Sequence, residues 1–307
     1  MKKNKEILKL QDFLDIENLE NCKFPDLELA LENIIDGDSS KDILYHLDNL
    51  CYSVFKTIPC NNKERHLLRF VKFPPKDKWD GPICPIIRDI KNNTITLSSP
   101  KGFNDPMDPI IRTWIAEKRK EKKFENKIYK YIDKILDKIR ICCLVDLDKS
   151  NHCLNKLFGK ENKSNLLMWA HYADSHRGIC IQYKIDASNL LDTKDEIIRL
   201  LDINYNKSFP INGNVSFKDS LIVKSKDWEY EKETRLIMYS RNEKKYYCQL
   251  ENYKIEAIYM GCLISSEKRN ELIALLNDSD IKLYQMKFSN DDITKLEANE
   301  IKKRGAK

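Results

Sequence analysis

Apolar positions recur along this 307-residue chain with two different periods. From Ser40, a good helix N-cap, residues Ile43, Leu44, Leu47, Leu50 and Val54 fall at helical spacing. An earlier apolar group, Leu27 to Ile35, is stopped by Gly37, so residues 1–66 read as an N-terminal helical extension. Leu67 to Phe73 alternates with period two and meets Pro74-Pro75, which predicts a strand with a hard stop. Thr94–Ser99, Arg140–Val145, Gly178–Tyr183, Leu221–Lys224, Thr234–Tyr239, Ile255–Tyr259 and Lys282–Met286 predict further strands. Helical patterns cover Trp114–Ile139, Ser164–Ala173 and Ser265–Asn277. Ile86–Asp89 is a short helix or turn, and Asp195–Leu201 is a helix or the entry to a strand.

In the second half strands outnumber helices and do not alternate strictly with them. That order predicts an α+β fold, a mixed and mainly antiparallel sheet flanked by helices. The expected organisation is a core over residues 67–290 with a helical insert at about 107–139, followed by a charged tail over 291–307.

Composition narrows the functions more than the fold. Hydrophobic residues make up 41% and charged residues 33%, the balance of a folded chain with a well-solvated surface. The net charge of +6 is too mild an excess to imply nucleic acid. No run approaches the roughly 20 apolar residues of a membrane helix. Charges also interrupt the start too early for a secretion signal, so a cytoplasmic location without membrane contact is expected. The ten cysteines form no C-x-x-C pair and read as reduced, mostly buried thiols; no metal is expected. With eight glycines there is no dinucleotide-binding G-x-G-x-x-G and no phosphate-binding G-x-x-x-x-G-K-[ST]. H-E-x-x-H and G-x-S-x-G are missing too.

Candidate chemistry gathers in three clusters. In the first, Leu97-Ser98-Ser99 ends a strand and leads into Phe103-Asn104-Asp105-Pro106-Met107-Asp108. Asn104 and Asp105 either cap a rigid turn or, with Ser98 or Ser99, face a ligand beside the sheet. In the second, Met168-Trp169-Ala170-His171-Tyr172 places His171 at a helix end, as a core histidine or a ligand-facing group. The third runs from Trp228 to Arg235. If it is extended, Glu229, Glu231, Glu233 and Arg235 share one side, as a surface ladder or as an E-x-E pair at a strand entry. Crowded carboxylates need a cation or polar ligand between them, and they suit an oxocarbenium-like transition state such as forms when nicotinamide leaves NAD.

Taken in order, Arg69-Phe70, Ser98 to Asp108, Cys142-Cys143, Leu167 to Gly178 and Trp228 to Arg235 resemble the motifs of a bacterial family called domain of unknown function 2971. The resemblance covers roughly residues 67–287. The order arginine, strand-end serine, E-x-E is in turn similar to that of ADP-ribosyltransferases. That likeness implies such a fold and an NAD-processing activity, of the kind found in toxins or antiphage effectors. Arg69 (or Lys72) would grip the phosphates, Ser98 or Ser99 would order the site, Glu233 would be the catalytic carboxylate and Glu231 its support. His171 and Tyr172 would line the nicotinamide pocket, with Asn104, Asp105 and Arg235 also at the ligand. The partners implied are a nucleotide-like small molecule and a protein or nucleic-acid acceptor. Two other readings stand beside it: a non-enzymatic ligand-sensing module, and a Mg-dependent nuclease using Asp227, Glu231 and Lys232.

Overall fold

The computed structural model describes residues 40–59, 63–79, 84–113, 116, 133–147, 164–206, 216–249, 253–291 and 295–302. The expected Leu27–Ile35 helix and most of the expected 114–139 helix lie outside them. The strands are β1 (Glu64–Val71), β2 (Ile95–Thr96), β3 (Ile139–Asp146), β4 (Ile179–Asp186), β5 (Glu196–Asp202) and β6 (Asn204–Asn206). They continue with β7 (Val223–Ser225), β8 (Glu233–Ser240), β9 (Tyr247–Cys248), β10 (Tyr253–Met260), β11 (Lys282–Phe288) and β12 (Leu296–Glu300). The helices used below are α1 (Ser40–Thr57), α2 (Pro85–Asn92), α3 (Ser164–Tyr172), α4 (Asp219–Ile222) and α5 (Ser266–Leu275).

Eight strands form one sheet in the order β12-β11-β10-β4-β1-β3-β8-β5. Within it only β10 and β11 pair in parallel; the other neighbours are antiparallel, which is the expected α+β class.

Alternation along the strands divides the core by sheet face. One face carries Leu67, Leu144, Ile181, Leu236 and Ile258 under α2 and α5, whose Ile87, Ile90 and Leu272 are buried there. The opposite face carries two separate cores. Ile141, Ile197, Ile237 and Tyr239 pack against α1 and α4. Leu68, Phe70, Cys180 and Tyr259 pack against Met168 and Trp169 of α3.

Several expected boundaries move. α1 is part of the main core, with Leu47, Val54 and Phe55 almost fully buried against the sheet. Its Asp48 accepts from Lys138 Nζ at 2.6 Å and from the Tyr239 hydroxyl. A helix with so wide an apolar stripe needs a sheet to cover it, so residues 40–59 do not stand apart as an extension, and β1 begins at Glu64. β12 also lies inside the expected tail, because pairing with β11 satisfies its backbone despite its charged sequence. Leu221–Lys224 is not one strand: α4 ends at Ile222 before β7 starts. Ile139 opens β3 instead of closing a helix. The Thr94–Ser99 strand shortens to β2, and Asp195–Leu201 resolves as strand β5.

The α3–β4 connection explains why residue 261 is a glycine. Asp174, Ser175 and His176 have φ of 51°, 53° and 66°, and the His176 amide returns to the Trp169 carbonyl at 3.1 Å. This tight reversal presses against residue 261, where a Cβ would stand 2.1 Å from the His176 carbonyl oxygen. Gly261→Ala is therefore expected to destabilise the fold by about 1–3 kcal/mol, read from denaturant midpoints. An unchanged midpoint would show that the turn yields freely.

Candidate functional site

β1 and β3 are paired only at Leu67–Asp146 and Leu68–Val145. Beyond those two positions the strands part. The edge that β3 leaves free is taken by Ser98, whose amide and carbonyl both bond Ile141 at 2.8 Å. A cavity of about 490 Å³ opens at this divergence, between the two cores of the second sheet face. That volume lies within the usual range for small-molecule sites. Arg69 to Val71 line one side and Ile141 to Val145 the other.

A charged cluster forms one end of the cavity. After β7, Ser225 caps a 3-10 turn, Lys226–Glu231, by accepting from the Asp227 amide. Lys232 closes that turn in the left-handed region, with φ of 46°. The reversal brings Glu231 back over Lys224, beside Glu233 at the start of β8. Lys224 Nζ lies 2.6 Å from Glu231 Oε2, 2.9 Å from Glu233 Oε2 and 3.3 Å from Asp108 Oδ2. Arg235 is completely buried. It donates Nε to Glu233 Oε1 at 2.7 Å, and Nη2 to the two Asp108 oxygens at 2.5 and 2.7 Å. The Leu221 carbonyl takes Nη1 at 2.5 Å. The Tyr172 hydroxyl donates to Glu231 Oε1 at 2.5 Å, and the Glu233 amide donates to the Tyr205 hydroxyl at 2.7 Å.

The two glutamates are thereby set apart. Burial pushes the Glu231 carboxyl up, against the pull of Lys224. Burial acts the same way on Glu233, but Arg235 and Lys224 outweigh it and hold that carboxyl down at about 2. Lys224 is held charged in spite of burial by Glu233, Asp108 and Glu231. Cys143, in the middle of β3, is exposed because it faces the cavity. Desolvation and the Glu233 carboxylate raise its thiol well above the usual range, so it is not a thiolate at neutral pH.

Because the folded-state value of Glu233 lies below its ordinary one, its contribution to stability is present above about pH 4.5. That contribution is lost as the pH falls toward about 2. Acid unfolding followed by circular dichroism should flatten over that window in Glu233→Gln. An unaltered acid limb would show that Glu233 is not held ionised.

Of the residues marked in the sequence, Arg69, Ser98, Asn104, Asp105, His171, Tyr172, Glu231 and Glu233 all line this one cavity. Two do not. Ser99 accepts from the Lys101 amide at 3.3 Å as the cap of a short turn. Arg235 lies behind the wall as a counter-ion. The expected ladder of Glu229, Glu231, Glu233 and Arg235 on one extended face does not form, because residues 226–231 are a 3-10 turn and Glu229 stays exposed. Asp227 is exposed and bonds Ser225, whereas Glu231 is buried, so the nuclease grouping of Asp227, Glu231 and Lys232 is not assembled. Asp105 is largely scaffold: its Oδ1 takes the Met107 amide at 2.8 Å. Arg69 faces Asp89 of α2 at 3.4 Å, too long for a strong bond.

Asp108, Lys224 and Tyr205 were not singled out from sequence. Asp108 was visible as the last acid of the Phe103-to-Asp108 motif. Lys224 was visible as a lone charge ending the apolar run Leu221-Ile222-Val223. Tyr205 carries no comparable signal.

Comparison with known families agrees with the motif resemblance over part of the chain. Residues 168–236 match the model of the family described as Protein of unknown function (DUF2971). The matched segment holds Tyr172, Lys224, Glu231, Glu233 and Arg235; Arg69, Ser98 and Asp108 lie outside it. No curated protein and no solved structure matches the chain. Among the described residues, no helix is long and apolar enough to cross a membrane.

Proposed function

We propose that this chain transfers or hydrolyses the ADP-ribosyl group of NAD, in the manner of an ADP-ribosyltransferase. One observation carries the reading: Arg69, Ser98 and the Glu231–Glu233 pair, far apart in sequence, line one cavity where two central strands diverge. Arg69 is a planar, permanently charged donor suited to phosphate oxygens; its guanidinium lies on the α2 side of the strand gap, 3.4 Å from Asp89, and would meet a phosphate through that gap.

In the reaction the bond between ribose C1′ and the nicotinamide nitrogen breaks. Its electron pair leaves with the ring, which becomes neutral, and the positive charge passes to the ribose. Fixed carboxylates opposite that charge favour the transition state over the ground state. The acceptor, water or a side chain, then adds to C1′ and its proton passes to Glu231.

This assignment reverses the roles expected from sequence. Glu233 is committed to Arg235 and Lys224 and works as a fixed counter-charge. Glu231 is bound through Tyr172 and Lys224, and a ribose hydroxyl can take the place of the Tyr172 hydroxyl. A raised carboxyl is also the better proton acceptor near neutrality.

The test is incubation with NAD carrying separate labels in its nicotinamide and adenylate halves. Release of nicotinamide, with the second label either free or attached to a macromolecule, is the expected outcome and identifies the acceptor. NAD that binds but stays intact would instead support a non-enzymatic sensing module.

A further inference from the structure

We infer that the acidic end of the cavity takes a planar cation, and that it discriminates such a ligand from its neutral isostere. The inference goes beyond the glycosyl-transfer reading, since it concerns the charge that the site accepts, whether or not a bond is cut there.

The charges on the wall are unequal. Asp105, Asp108, Glu231 and Glu233 line the cavity against Arg69 and Lys224, an excess of two negative charges. Behind the wall Arg235 at Glu233 is matched by Asp89 at Arg69, while Arg112, which donates to the Phe103, Asp105 and Asp108 carbonyls at 3.0 to 3.1 Å, lowers the excess to one. The excess arises in a chain whose net charge is +6, so the cavity field opposes that of the whole molecule.

A divalent metal is poorly placed to supply the missing charge. The point where Asp108, Glu231 and Glu233 converge is already held by the Lys224 ammonium, buried at 7% exposure. A compensating cation must therefore sit on the cavity side of Glu231. There Tyr172, Trp228 and Phe103 line the wall. Both buried cations of the cluster already lie over two of these rings, Lys224 Nζ 5.2 Å from the Trp228 centroid and Arg235 Cζ 5.6 Å from that of Phe103. Aromatic rings beside a wall with an excess of carboxylates favour a flat ring with delocalised positive charge, which stacks and loses less hydration than a compact ion.

The experiment is isothermal titration of the full chain at neutral pH with 1-methylnicotinamide, a planar pyridinium, and with neutral nicotinamide. Neither probe has a glycosidic bond, so the result is independent of turnover. The cation is expected to bind at least about tenfold more tightly, equivalent to about 1.4 kcal/mol. Glu231→Gln should erase that preference. Asp105→Asn keeps the oxygen that caps the Met107 amide while removing one charge, and should reduce the preference in a chain that still folds. Equal or tighter binding of nicotinamide, or no binding of the cation at millimolar concentration, overturns the inference. A preference unaltered in both variants places the cation elsewhere and overturns it as well.

Discussion

Arg235→Met is expected to destabilise the fold by about 3–5 kcal/mol. The Arg235 guanidinium is wholly buried and holds Asp108, Glu233 and the Leu221 carbonyl together. Methionine approximates its volume but strands two buried carboxylates, leaving three acids around the single Lys224 ammonium. The cost lies in the stranded charges more than in the lost pair, and that distinction is measurable. Adding Asp108→Asn to Arg235→Met should recover part of the loss, because one unpaired charge disappears. Arg235→Lys should recover little, since an ammonium cannot reach both acids and a carbonyl with the geometry of the planar fork. Denaturant midpoints of the four chains decide the matter. A loss under about 1 kcal/mol for Arg235→Met would mean that the cluster is wetter and softer than its geometry implies.

Glu231→Gln is expected to leave the fold nearly intact and to lower NAD turnover by about a hundred- to ten-thousandfold. The amide can still take a hydrogen bond from Tyr172 or Lys224, so the turn over residues 226–231 keeps its anchors. It can neither accept the acceptor's proton nor oppose a developing positive charge. Glu233→Gln separates the roles: it should damage stability through Arg235, with loss of rate as a consequence of misplaced neighbours. If Glu233→Gln abolishes turnover in a chain of normal stability while Glu231→Gln does not, the roles return to those read from the sequence.

Local pattern carried most of the strands into view. The alternation of Leu67 to Phe73 and the apolar run within Thr234 to Tyr239 mark the two central strands that bear Arg69 and Arg235, the second of them buried along its whole length. The order of the motifs already groups Arg69, Ser98, Tyr172, Glu231 and Glu233 as walls of one cleft. What stayed hidden was non-local or depended on single backbone angles. Nothing between Val71 and Ile139 announces that their strands pair for only two residues and then separate, yet that divergence makes the cavity. The period-two reading of residues 229–235 failed at Lys232, where a left-handed non-glycine residue turns the chain and changes which acids meet. Lys224 carries no sequence signal of burial, because a lysine ending an apolar run ordinarily reaches solvent. Its burial follows from three acids that arrive from separate elements.

The most direct measurement is the initial rate of nicotinamide release from NAD, taken side by side for the wild-type chain and Glu231→Gln at neutral pH. A measurable rate that collapses in the variant is expected. NAD left intact by the wild type, or equal rates in the two chains, would contradict glycosyl transfer at this cavity.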